Sequence, residues 1–183
     1  PIPGGRSIVM VIDRSGSMRG EKFAQAQLGI RRLLESLNPD DHFNLVVNDS
    51  EVELFCNELQ AATPENLQAG REWADALKPQ GGTNISEAMR VGLKQAATGD
   101  RPAWVLFLTD GLPTAGVTDE KQIAALAVES NTKQARVFSL GVGYDVNTRL
   151  LDRLSNAHRG RTAYVLPGEQ IDSAVAAIES GIA

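Results

Sequence analysis

Three short stretches of this sequence carry oxygen donors: Asp13-Arg14-Ser15-Gly16-Ser17-Met18, Gly81-Gly82-Thr83 and Thr109-Asp110-Gly111. The carboxylates of Asp13 and Asp110 and the hydroxyls of Ser15, Ser17 and Thr83 make an all-oxygen set, which suits a hard cation and not zinc, copper or an iron–sulfur cluster. Magnesium is the natural candidate, with manganese or calcium able to substitute. Two aspartates balance the charge of a divalent ion, yet five side chains, some acting through water, leave an octahedron open in at least one position. An oxygen anion fits that position best, so the expected partner is a protein presenting Asp or Glu. Taken singly, each piece has an ordinary reading: Asp or Ser after a strand caps the next helix, and Asp-Gly and Gly-Gly are common turn dipeptides. Only their joint placement at one edge of a sheet argues for a metal site.

The surrounding elements supply that placement. Apolar runs at residues 7–12, 43–47, 103–108, 136–142 and 162–166 are continuous and read as buried parallel strands. Between the first two, Phe23, Ala26, Ile30, Leu33, Leu34 and Leu37 recur at helical spacing, and Asn38-Pro39-Asp40-Asp41 stops the helix. Ile85, Ala88, Met89, Leu93 and Ala96 repeat the pattern, with Asn84 as N-cap and Glu87 as its reciprocal partner. Further helices are expected at 64–77, opened by Thr63-Pro64, and at 120–131, 147–156 and 168–180. Residues 51–54 alternate instead, and read as an edge strand turned back through Asn48-Asp49-Ser50. The expected architecture is α/β: a doubly wound, mostly parallel six-stranded sheet with one antiparallel edge strand and helices on both faces, Rossmann-like. In such a sheet ligands gather beyond the carboxyl ends of the strands, where Asp13 and Asp110 fall.

Composition excludes several function classes. The formal charge of −5 comes from 18 Lys and Arg against 23 Asp and Glu with no long run of either sign, so neither a nucleic-acid face nor a membrane-binding face is expected. No apolar run approaches a membrane span. The single cysteine, Cys56, rules out an internal disulfide and reads as a small core residue. Residues 1–6 read as a linker or tail and 7–183 as one domain, with the missing initiator Met fitting a processed piece of a longer protein.

These residues resemble the von Willebrand factor A family, whose metal-ion-dependent adhesion site (MIDAS) uses Asp-x-Ser-x-Ser, a Thr and an Asp from separate loops. Asp13, Ser15, Ser17, Thr83 and Asp110 match those roles. The resemblance implies constant ligation by Ser15 and Ser17, with Asp13, Thr83 and Asp110 alternating between direct and water-mediated contact as the site switches state. It also implies that movement of the last helix couples to the loops around the ion. The likeness runs from about Ser7 to Ile178 and is nearest to the inter-alpha-trypsin inhibitor heavy-chain type. It rests on Asp40-Asp41-His42-Phe43-Asn44, Thr63-Pro64-Glu65-Asn66, Gly81-Gly82-Thr83-Asn84-Ile85, Thr109-Asp110-Gly111-x-Pro113-Thr114 and Gly141-x-Gly143-x-Asp145-Val146-Asn147. That type implies an extracellular or cell-surface location.

Partner specificity is expected in the rim around the ion, at Arg14, Met18, Asp49, Leu112 and the 113–119 loop, with Asp49 facing water. Two other functions compete with cation-dependent adhesion. A magnesium-dependent phosphohydrolase of the haloacid dehalogenase kind would use Asp13 as nucleophile, but it needs a second carboxylate two residues on, where Ser15 stands. A metal-free scaffold keeping only the fold is the other. Arg149, Arg153, Arg159 and Arg161 form a local basic group that reads as a solvated helix face, and His42 and His158 lack ligand spacing. Gly141-Val142-Gly143 lacks the third glycine of a dinucleotide fingerprint.

Overall fold

Every residue of the first strand, β1 (Ser7–Asp13), is buried, as a strand covered on both faces must be. The computed structural model describes residues 4–182. After β1 come α1 (Glu21–Glu35), β2 (His42–Asn48), β3 (Val52–Leu54), β4 (Gln60–Ala61) and α2 (Pro64–Asp75). They are followed by α3 (Ile85–Ala96), β5 (Ala103–Thr109), α4 (Glu120–Ser130), β6 (Arg136–Val142), α5 (Thr148–Ala157), β7 (Thr162–Val165) and α6 (Asp172–Ile182). The strand order is β3-β2-β1-β5-β6-β7, with β4 also pairing β2.

The sheet thus has seven strands, not six. The additional strand, β4, is two residues long, too short for alternation to register, and pairs antiparallel with His42 and Phe43 at the start of β2. The expected antiparallel edge is β3, opposite Val46–Asn48 in register. All other pairings are parallel. Since β2 lies on one side of β1 and β5 on the other, the winding direction reverses at β1, which makes its carboxyl end the crevice of the sheet.

Alternation along the strands sorts the core into two layers. Met10, Ile12, Leu45, Val47, Leu106 and Leu108 pack with Phe23, Ile30, Leu33, Val175 and Ile178 of α1 and α6. Val9, Val11, Val46, Val105 and Phe107 pack on the opposite face with Ile85, Met89, Ile123, Leu150 and Leu154 of α3, α4 and α5. Continuing that second set by two residues reaches Asp13, Asn48 and Thr109, so three polar residues end the three central strands on the α3 face.

Several helix boundaries differ from the sequence expectation for local reasons. Helix α6 starts at Asp172 and not at 168, because Gly168 has φ +90° and takes part in a turn. The N-cap at Asn84 forms, its side chain accepting from the Glu87 N–H, but the reciprocal half does not. Glu87 instead pairs with Arg90 at 2.6 Å, and the Asn84 N–H donates to the Asp49 carbonyl. Thr63 caps α2 as expected, accepting from the Asn66 N–H.

The boundary drawn ahead of Ser7 falls inside the folded part. Arg6 is buried, and its guanidinium meets the Asp41 carboxylate at 2.6 Å while its own N–H donates to the same side chain. Burial pushes the Asp41 carboxyl upward, yet the hydrogen bonds from Arg6 and the Asn38 N–H hold it below the ordinary range. Residues 1–3 and 183, part of the expected tail and domain end, lie outside the described residues. Cys56 is half-buried at the edge of the fold and not in its core.

Candidate metal-ion site

The candidate site is assembled by backbone bonds before any side chain is considered. The Gly16 N–H donates to the Gly81 carbonyl at 2.8 Å and the Gln80 N–H to the Arg14 carbonyl at 2.7 Å, fastening the loop after β1 to the loop before α3. The carbonyl of Thr83 accepts from the N–H groups of Thr114 and Ala115, and Thr83 N–H donates to Thr114 Oγ1 at 2.8 Å, so the loop before α3 is fastened in turn to the loop after β5. A Cβ at Gly82 would lie 2.8 Å from Thr114 Oγ1 and 3.0 Å from Ser50 Oγ, so the close approach of these loops requires glycine there. The Asn147 N–H donates to the Asp110 carbonyl, tying in the start of α5.

On this frame four of the five expected side chains meet directly. Asp13 Oδ1 accepts from the Ser15 N–H at 2.8 Å. Ser15 Oγ and Ser17 Oγ lie 3.0 Å apart, and Ser17 Oγ donates to Asp110 Oδ2 at 2.8 Å across 93 residues of sequence. Thr83 is buried in the adjoining loop and is held there by its backbone bonds to residues 114 and 115.

Asp13 and Asp110 are both 0% exposed. Burial, helped by the charge of Asp110, pushes the Asp13 carboxyl up to about 6, against the opposing hydrogen bonds from Ser15 and Thr109. Two buried carboxylates in one place form an environment that favours a cation, because an uncompensated buried charge is costly.

Three participants were not among the expected site residues. Thr109 Oγ1 donates to Asp13 Oδ2 at 2.7 Å and accepts from the Gly111 N–H, fixing the Asp13 carboxylate. Its place as the last residue of β5, in line with Asp13, was the available clue. Lys22, on the first turn of α1, reaches Asp110 Oδ2 at 3.3 Å. Its stem runs over Gly143, which has φ +107° and where a Cβ would lie 2.5 Å from Lys22 Cε. Asn48, in register with Asp13, is fully buried with neither side-chain polar atom hydrogen-bonded among the described residues. A buried amide without a protein partner beside Asp13 is a polar group that a bound water or polar ligand would satisfy. Among the described residues no group of three or more His, Cys, Asp and Glu is placed to hold a metal, so any ion here depends on the hydroxyls as well as the two carboxylates.

The expected rim divides. Met18 is 0% exposed and belongs to the core under α1, so it presents nothing to a partner. Asp49 does not face water: it is buried and accepts from Arg14 Nε at 3.0 Å and Gln80 Nε2 at 2.9 Å. Burial raises its carboxyl, but the Glu51 N–H, Gln80 and Arg14 outweigh that and hold it below the usual range. Arg14 and Leu112 are half-buried at the edge, and the Leu112 N–H donates to Asp110 Oδ1.

The expected basic group is not one cluster. Arg149 pairs with Glu120 at 2.8 Å near the start of α5, whereas Arg159 and Arg161 follow the other end of that helix. His158 is buried, its Nδ1 2.8 Å from the Asn131 amide nitrogen, and serves the fold.

Comparison with known proteins gives the family and the fold. A profile of the von Willebrand factor type A domain matches residues 6–164. Human inter-alpha-trypsin inhibitor heavy chain H4 is 32% identical over 158 residues, covering 82% of this chain and 17% of that protein. The chain spans less than a fifth of the length of the curated relatives it matches. A von Willebrand factor type A structure from Catenulispora acidiphila superposes with a TM-score of 0.83 at 18% identity, covering 97% of this chain and 42% of that one. Proximal thread matrix protein 1 from the mussel byssus, solved with zinc occupying its MIDAS motif, superposes with a TM-score of 0.75 at 16% identity over 96% of this chain and 45% of that one.

Proposed function

Since the chain belongs to the von Willebrand factor type A domain family and is of the inter-alpha-trypsin inhibitor heavy-chain type, we propose that it is a divalent-cation-dependent protein-binding module. The observation that carries this reading is the 2.8 Å bond from Ser17 Oγ to Asp110 Oδ2, which joins the Asp13-x-Ser15-x-Ser17 loop to the loop after β5.

Ser15, Ser17 and Thr83 offer hydroxyl oxygens, and Asp13 and Asp110 offer the balancing charge. Asp13 is oriented by the Ser15 N–H and by Thr109, so it meets a cation in a fixed pose and loses little freedom on binding. When bound, the ion supplies a Lewis-acidic position that accepts an Asp or Glu carboxylate of a partner protein. Arg14 and Leu112 border that position and contribute to the choice of partner. Magnesium fits an all-oxygen set best, with manganese or calcium as substitutes. The zinc in the mussel MIDAS belongs to that protein, and zinc is included in the test below for that reason.

The module is not an enzyme in this reading. Where a phosphohydrolase would hold its acid–base carboxylate there is Ser15, whose hydroxyl is shared with Ser17. The heavy-chain relatives support an extracellular or cell-surface setting. Among the described residues no helix is long and apolar enough to cross a membrane.

Calorimetric titration of magnesium, manganese and zinc into the parent, Asp13→Ala and Ser15→Ala tests the assignment. The expected result is one saturable site for magnesium or manganese that both substitutions abolish. No heat with any ion would favour the metal-free scaffold. Magnesium-dependent hydrolysis of a phosphate ester, lost in Asp13→Asn, would favour the enzyme.

A further inference from the structure

At the pole opposite Asp13, beyond the amino ends of the central strands, the surface opens into a pocket of about 680 Å³. Its walls include Trp104 at the start of β5, Arg136 at the start of β6, Arg101 ahead of β5, and Lys133 and Arg159 from the loops flanking β6. Asp100 is the sole acidic residue lining it. Four cations against one carboxylate is a marked local excess in a chain whose formal charge is −5. Among the described residues none of these four cations makes an ion pair, although nine other pairs form elsewhere.

Two of the guanidiniums are held in place without being neutralised. Arg101 donates from Nε to the Gly4 carbonyl at 2.7 Å, and Arg159 donates to the Gln134 carbonyl. Each bond uses one of five donors and consumes no negative charge, so most of each fork stays available. Gln134 and Arg159 are also the two non-glycine residues with positive φ among those described, at +53° and +59°. The backbone therefore adopts an uncommon conformation at both ends of that bond. Behind the same wall, a Cβ on Gly181 would lie 3.6 Å from Arg161 Nε, which puts a fifth cation at the margin. Trp104 is buried, and its indole N–H has no hydrogen-bond partner among the described residues. Trp104 thus lines the cationic pocket with an indole N–H that has no competing partner among the described residues, which makes it a reporter for a charge bound there.

We propose that this pocket is an anion-binding site for a tetrahedral oxyanion of the phosphate or sulfate class, free or as an ester. Arginine forks match two oxygens of such a group at once, and the charge of sulfate, phosphate or a phosphate monoester, approaching two negative, offsets the unpaired cations more fully than a single carboxylate does. The proposal is independent of the metal edge, since no pocket residue belongs to the loops around Asp13.

The test uses metal-free protein carrying Trp73→Phe, so that the single indole N–H resonance in a proton–nitrogen spectrum is that of Trp104. Inorganic phosphate, sulfate and glycerol 3-phosphate are titrated at ionic strength held constant with chloride. The expected result is a saturable shift of the Trp104 signal, with affinity falling about tenfold or more when Lys133→Gln and Arg136→Gln are combined. Lys121→Gln, exposed at the start of α4 by the opposite pole of the sheet, leaves it unchanged. Tighter binding of the inorganic ions assigns a free anion; tighter binding of glycerol 3-phosphate assigns an ester. Both mutated side chains are exposed, so an unchanged melting temperature shows that the lost binding is not lost folding. A shift that is linear and matched by chloride, or equal affinity in the double variant, would overturn the proposal. So would saturation by a glutamate-rich peptide with no response to the oxyanions.

Discussion

The Lys22 ammonium stands 3.3 Å from Asp110 Oδ2, the same oxygen that accepts from Ser17 Oγ at 2.8 Å. One carboxylate of the candidate site therefore already has a cation of the protein's own. A divalent ion drawing on Asp110 must share it with Lys22 or displace it. Lys22 is partly exposed, so the pair is screened and its contribution modest. Lys22→Met, which keeps the stem over Gly143, is expected to tighten magnesium binding about three- to tenfold by calorimetry. Unchanged or weaker affinity would show that Lys22 does not compete for Asp110.

The raised carboxyl of Asp13 sets a pH window. In the metal-free fold it titrates near 6, against 3.8 in the ordinary state, so the folded form holds this proton more tightly than the unfolded form. Stability of the metal-free domain from this group therefore increases as pH falls from 7 through 6 toward 4, by at most about 3 kcal/mol. His158, lowered chiefly by burial, works in the opposite sense just below its ordinary 6.5. The difference between the parent and Asp13→Asn isolates Asp13. Urea unfolding should show Asp13→Asn the more stable at pH 7 and the gap closing by pH 4. Cation binding has the opposite sign, since it needs the ionised carboxylate, and should weaken below about pH 6.

The Arg6–Asp41 pair gives a prediction about folding alone. Both side chains are buried, and the bond joins the segment ahead of β1 to the turn before β2. Breaking one partner of a buried pair leaves the other uncompensated, so Arg6→Ala should cost about 3–5 kcal/mol in urea unfolding. Magnesium affinity of the folded fraction should be unaffected. A loss below about 1 kcal/mol would mean that water takes the place of Arg6.

Much of this was legible in the sequence, and the misses have physical causes. Five long strands and six helices announced themselves because buried apolar residues must follow the period of their element. Asp13, Ser15, Ser17 and Asp110 were readable because a doubly wound sheet sends the ends of β1 and β5 to one crevice. Lys22 and Thr109 were not, because each acts through another side chain at a distance fixed only by packing. Met18 looked like a rim residue from its place beside the triplet, but the 3₁₀ turn at Gly16–Met18 directs it into the core. Asp49 looked solvated because nothing in the sequence ties it to Arg14 and Gln80.

Gln25 offers a test of coupling between the site and the last helix. From α1, which follows the Asp13 loop, its amide nitrogen donates to the carbonyls of Leu166 at 3.1 Å and Glu169 at 3.0 Å, in the segment entering α6. If α6 shifts when the site is loaded, Gln25→Ala should change partner affinity or magnesium affinity about threefold or more. Identical affinities, with only a small loss of stability, would leave Gln25 a purely structural clamp.

Anomalous diffraction from crystals grown with manganese tests the central claim most directly. One peak within bonding reach of Ser15 and Ser17 is expected, with Asp13, Thr83 and Asp110 around it. One coordination position should face outward, filled by water or by a carboxylate of a neighbouring molecule. A peak elsewhere, no peak at saturating manganese, or a coordination shell closed entirely by this chain's own atoms would contradict it.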